Sequence, residues 1–122
     1  APAHAAQHKT SGPYSPVLRV NTGRLVVISG QAAIDMDGKF IGNNIGEQAA
    51  FTLDNCRKQL AAAGCGLDKV FKVTVYLKHM EDWERFNEVY RNYFTGTMPV
   101  RTAVQTGLLG ELLVEVECWA VA

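Results

Sequence analysis

This sequence has no net charge: twelve lysines and arginines balance twelve aspartates and glutamates over 122 residues, and neither sign gathers into a run. That excludes the electrostatic footprint of a protein that follows a nucleic-acid backbone or an anionic membrane. The expected partner is a small molecule or another copy of the chain. Long apolar runs are missing too. No stretch approaches the length of a membrane span, and the tail Ala1 to Thr10 lacks the apolar core of a signal peptide, so a soluble protein is expected. Cysteine is scarce and odd in number. Cys56, Cys65 and Cys118 have neither CxxC nor zinc-ribbon spacing, which predicts reduced thiols inside a cell, in cytoplasm or an organelle matrix, rather than a disulfide framework. His4 and His8 stand four apart, as helical metal ligands do, but no acidic or thiol residue accompanies them. They read as part of a tail spanning residues 1–11, with no metal, ahead of a single domain over 12–122.

What the sequence does contain is alternation. Ser11 to Pro16 is a cluster of breakers and reads as a defined loop. Val17 to Asn21 predicts a short strand, followed by a turn at Asn21-Thr22-Gly23. Leu25 to Ala32 is β-branched and almost wholly apolar, the pattern of a central strand buried on both faces. Gly30 within it suggests a bulge or a close backbone approach. Met36 to Lys39 is a turn. From Ile45 to Ala63 the period becomes helical through Ala49, Leu53, Cys56 and Leu60, and Gly64 stops it. Val70 to Leu77 alternates as a strand, with Phe71, Val73, Val75 and Leu77 inward. A second helix over about Asp82 to Phe94 carries Trp83, Phe86, Tyr90 and Tyr93 on one stripe, read as core, with Asp82 as a candidate N-cap.

The C-terminal segment holds the candidate chemistry. Met98 to Gln105 and Leu113 to Ala120 are two period-2 runs around a glycine-containing turn, which predicts an antiparallel hairpin. Val114, Val116, Cys118 and Ala120 form its apolar face. A three-residue turn at Leu108 to Gly110 sets Arg101 opposite Glu117 on one side of the sheet. Such a pair is either an ordinary cross-strand salt bridge or a small site that binds a carboxylate and activates water. The expected architecture is an α+β sandwich with helices on one face of a mixed sheet. Its other face would carry Thr74, Tyr76, Arg101, Gln105, Glu117 and Trp119, a mixture suited to burial against another subunit.

With these residues in place the chain resembles the reactive-intermediate deaminase family, the YjgF-like or Rid proteins. The resemblance rests on Gly12-Pro13-Tyr14-Ser15, Ile28-Ser29-Gly30-Gln31, Thr52-Leu53-Asp54-Asn55, Phe86-Asn87-Glu88-Val89-Tyr90, Pro99-Val100-Arg101 and Val114-Glu115-Val116-Glu117, in order, from Gly12 to Ala122. It implies a chorismate-mutase-like fold and a homotrimer with sheets facing inward and three clefts between subunits. It also implies hydrolysis of 2-imino acids and their enamine tautomers to 2-keto acids and ammonia, with no metal or organic cofactor. Arg101 would then hold the substrate carboxylate and Glu117 would orient the attacking water. Tyr14, Ser29 and Gly30 would line the cleft, with Ala103 contributing its backbone carbonyl.

Three positions depart from the family pattern. Ala103 replaces a common cysteine, Leu108-Leu109-Gly110-Glu111 replaces a turn that often carries Leu-Pro, and Trp119 replaces a smaller residue. Two other readings stand beside the leading one: a pathway-specific enamine deaminase of the 2-aminomuconate type, and a non-catalytic trimer that binds 2-keto acids or other carboxylates. A ribonuclease fits poorly with balanced charge and no paired histidines.

Overall fold

The computed structural model describes residues 4–6, 8, 12–21 and 23–122. Most of the predicted tail, and Thr22 of the predicted turn, lie outside these residues. The described chain runs β1 (Leu25–Ala32), α1 (Ile45–Ala62), β2 (Val70–Leu77), α2 (Trp83–Tyr93), β3 (Val100–Gln105) and β4 (Val114–Val121), with short 3₁₀ turns at Leu67–Lys69 and Met80–Asp82. The four strands form one mixed sheet in the order β1-β4-β2-β3. β4 is antiparallel to both β1 and β2, and β2 is parallel to β3. Both helices pack on one face, so the architecture is the expected two-layer α+β sandwich.

Local chemistry explains the helices. Asn44 caps α1 by accepting the Glu47 N–H at 2.9 Å, and the Glu47 carboxylate accepts the Asn43 N–H at 2.9 Å. Ala49, Leu53, Cys56 and Leu60 recur on one side and are fully buried. Gly64, at φ +72°, then lets the Cys65 N–H return to the Leu60 carbonyl, as a helix-ending glycine should. In α2, Phe86 and Tyr90 are fully buried and Tyr90 stacks on Phe94 at 4.5 Å, while Trp83 and Tyr93 sit at the half-buried margins. Asp82 occupies the N-cap position of α2 as expected, but it also ends the preceding 3₁₀ turn and its carboxylate makes no capping bond.

The strands depart from expectation in several respects. Val17 to Asn21 is irregular rather than extended in a ladder, and the loop joins the sheet through Ser15, which bridges Val100 in parallel. β1 is an edge of this sheet, not a central strand; Val26 and Ile28 are buried, whereas Leu25 and Val27 are 54% and 53% exposed. Apolar residues on both faces announce burial on both faces, but the pattern cannot tell a neighbouring layer of the same chain from another molecule. Finally, the predicted hairpin does not form. Both edges of β4 are taken by β1 and β2, and β3 reaches β2 by a crossover through α2. The connecting segment is instead drawn onto α1 by Gln48, whose amide donates to the Glu111 carbonyl at 3.0 Å and accepts the Leu113 N–H at 2.8 Å. In β2 an irregularity between Val70 and Lys72 puts Val70 in the core and leaves Phe71 half-buried.

Candidate active site

The breaker loop is fastened to the entrance of β3. The Ser15 N–H donates to the Pro99 carbonyl at 3.0 Å and its hydroxyl donates to the Met98 carbonyl. This brings the Tyr14 ring to 5.3 Å from the Arg101 guanidinium carbon, which also lies 4.8 Å from the Tyr90 ring and 5.9 Å from that of Phe86. Arg101 is only 9% exposed. None of its three side-chain nitrogens has a hydrogen-bond partner among the described residues. Burial pushes its pKa down from the ordinary arginine value, with Tyr90 and Tyr14 partly opposing and Arg91 adding to the shift; a guanidinium nevertheless stays protonated in proteins. Three aromatic faces stabilise the cation without satisfying its donors. The position of Gly12 is dictated by the same cage, since a Cβ there would stand 2.8 Å from the Trp83 ring and 3.1 Å from Nη2 of Arg101. Asn87 Oδ1 and the Tyr90 hydroxyl are also buried without partners, and burial holds the Tyr90 phenol protonated. The sequence offered Phe86 and Tyr90 only as core.

Glu117 lies elsewhere. Val73 of β2 pairs with Arg101 on one side and with Cys118 on the other, so Arg101 shares the helix-facing side of the sheet with two core residues. Glu117 pairs with Thr74 and faces the open side. The expected juxtaposition of Arg101 and Glu117 on one side therefore does not occur within the chain; it was inferred from a hairpin register, and β2 in fact separates the two strands by about 10 Å in all. On the open side the Tyr76 hydroxyl donates to Glu117 Oε1 at 2.8 Å. That hydrogen bond is the first cause of a raised Tyr76 pKa, followed by burial and by the charges of Glu117 and Glu115. Tyr76, the segment from Thr106 to Leu109, Glu115 and Glu117 line a cavity of about 500 Å³.

The remaining predicted residues divide between the two places. Ala103 pairs with Val75 and is half-buried on the side of Arg101. Ser29 and Gly30 form the bulge of β1 between Ile28 and Gln31, across from Glu117 of β4, which lies between the Cys118 and Val116 pairs. A Cβ on Gly30 would come within 2.2 Å of the Glu115 carboxylate, which is the close approach its place in the sequence suggested. The Ser29 carbonyl accepts the Gln31 side-chain amide at 3.1 Å. One chain thus presents a buried guanidinium without hydrogen-bond partners among the described residues at the β3 edge, and a carboxylate-lined cavity on the open face.

A family model described as Endoribonuclease L-PSP matches residues 4–122. The chain belongs to this family, the YjgF-like or Rid proteins. A RutC family protein of Pyrococcus horikoshii is 40% identical over 92% of this chain and 89% of its own length. The 2-iminobutanoate/2-iminopropanoate deaminase of Mus musculus is 39% identical over 90% of this chain and 82% of its own. Among solved structures, TdcF of E. coli with bound serine superposes with a TM-score of 0.76 at 29% identity, covering 97% of both chains. In the turn after β3, Gly110 takes φ +49°, the Leu112 N–H closes on the Leu109 carbonyl, and Leu109 is left 77% exposed beside the Glu117 cavity.

Proposed function

We propose that this Rid protein hydrolyses reactive 2-imino acids and their enamine tautomers to 2-keto acids and ammonia, without a cofactor. The observation that carries the reading is Arg101: a charged group removed from water, caged by rings, with three nitrogens that find no partner among the described residues. An unpaired buried charge is strongly unfavourable, and a planar carboxylate would pair with the guanidinium fork through two parallel hydrogen bonds. The names of the mammalian relatives, and a solved relative that holds the small carboxylate serine, support the same substrate size and charge. With the carboxylate fixed, water adds to the carbon of the protonated imine (iminium) while Glu117 receives a water proton, and the C=N electron pair moves to nitrogen to give a neutral carbinolamine. Glu117 then returns that proton to the amino nitrogen. The hydroxyl oxygen's electron pair forms the C=O bond as the C–N bond breaks, ammonia leaves, and the remaining hydroxyl proton passes to solvent.

The chemistry needs Arg101 and Glu117 together, and one chain carries them on opposite sides of its sheet. The proposal therefore includes a homotrimer with its sheets facing inward, in which Arg101 of one copy and Glu117 of the next frame each cleft. Leu25, Val27, Val104 and Trp119, all more than a third exposed in the single chain, are the apolar surface such an assembly would cover.

The test is release of ammonia and keto acid from a panel of 2-imino acids generated in place by an amino-acid oxidase. Wild-type protein should accelerate release and Arg101→Ala should not. Glu117→Gln should still bind a 2-keto acid but lose turnover. A second reading, a carboxylate-binding trimer without catalysis, is favoured by the absence of any acid beside Arg101 among the described residues; keto-acid binding with no acceleration on any member of the panel would establish it. A dicarboxylate enamine in the panel separates the pathway-specific variant.

A further inference from the structure

Glu117 is a long side chain on an open sheet face, and three torsions separate its carboxylate from the strand. The Tyr76 hydroxyl donates to its Oε1 at 2.8 Å. The contact is a diagonal one. Glu117 pairs directly with Thr74, and Tyr76, two residues along β2, pairs with Glu115, so the phenol leans across the ladder on the same face. Tyr76 and Glu117 line the same cavity of about 500 Å³.

From this geometry, and resting on the deaminase reading above, we infer that Tyr76 is a positioning residue for Glu117. Its single proton occupies Oε1 and leaves Oε2 to hold and deprotonate the attacking water. The phenol has one O–H to give and the carboxylate has only acceptors, so the direction of the bond is fixed. The bond also restrains the carboxylate before substrate arrives, which lowers the reorganisation needed at the moment of attack. The two acids facing the phenol, Glu117 and Glu115, both hold it in its protonated, donating form. Tyr76 itself touches neither the imine carbon nor the substrate carboxylate in this scheme, so its effect should fall on turnover and not on binding.

Tyr76→Phe keeps the ring and removes the one hydroxyl. Its kcat on the best 2-imino acid should fall about tenfold with KM within twofold of wild type. A spectroscopic titration supplies a readout independent of activity. In Glu117→Gln one tyrosine should ionise at lower pH than in wild type, because the hydrogen-bonded carboxylate that raises it is gone, and that ionisation should be missing from the Tyr76→Phe/Glu117→Gln double variant. Wild-type kcat in a folded Tyr76→Phe protein overturns the inference, as does a tyrosine titration that Glu117→Gln leaves unmoved; either result leaves the deaminase reading intact. Failure of the wild type to turn over any imine instead removes the deaminase reading, and the role of Tyr76 with it, even if the titration shift is present.

Discussion

A guanidinium that has left water without gaining a partner is a liability to the fold that harbours it. Arg101 is in that position, with the rings of Tyr14, Phe86 and Tyr90 around it and no acceptor for any of its nitrogens among the described residues. The rings recover part of the lost solvation; the rest is available to whatever anion arrives. Stability and binding should therefore respond in opposite directions at this residue. Arg101→Met fills similar volume with an apolar chain and should melt no lower than wild type, since replacing a buried charge by a packed apolar group is often neutral or stabilising. The same variant should lose 2-keto-acid binding in calorimetry. Arg101→Lys keeps the charge but not the planar fork, so its affinity should fall by about 10- to 100-fold, or roughly 1.5–3 kcal/mol. A methionine variant that melts well below wild type would mean that the cage is built for packing rather than for an anion.

At the scale of elements, much was legible because the signals are local. The stripe Ala49, Leu53, Cys56 and Leu60 marks the buried side of α1, and Gly64 ends the helix for a reason visible in three residues of sequence. The alternation of β4 marks its buried face correctly, with Val114, Val116, Cys118 and Ala120 all fully buried. What the pattern does not contain is pairing. Leu108 to Gly110 looks like the turn of a hairpin, yet β3 and β4 are not neighbours, because Gln48, some sixty residues earlier, takes hold of the connection at Glu111 and Leu113. A polar residue on a helix gives no sequence sign of such a reach. The consequence for the site is large: with β2 inserted between them, Arg101 and Glu117 end on opposite faces. Gln48 is only 2% exposed, so its removal strands the carbonyls of Gly42 and Glu111 and the Leu113 N–H in a dry place. Gln48→Leu should destabilise the fold by about 2–4 kcal/mol, read as a lower denaturant midpoint with an unchanged slope. A cost near zero would show that water can replace the side chain.

For the whole molecule the decisive feature is the division of the proposed site. Arg101 with its cage occupies the helix side of the β3 edge, and Glu117 with Tyr76 occupies the open face, where exposed Leu25, Val27, Val104 and Trp119 mark a surface unsuited to water. If the cleft is shared between copies, two inactive variants should repair each other. Arg101→Ala chains retain Glu117, and Glu117→Gln chains retain Arg101. Unfolded together in equal amounts and refolded, they should form mixed trimers in which about one cleft in four draws an intact arginine from one chain and an intact glutamate from its neighbour. Imine hydrolysis should then return to about a quarter of the wild-type level, while each variant refolded alone stays inactive. Trp119→Glu, which places a charge on the surface to be covered, should yield monomers by light scattering and abolish the complementation without touching Arg101 or Tyr76. A site contained in one chain predicts the reverse: no activity from any mixture, and full activity from a folded Trp119→Glu monomer.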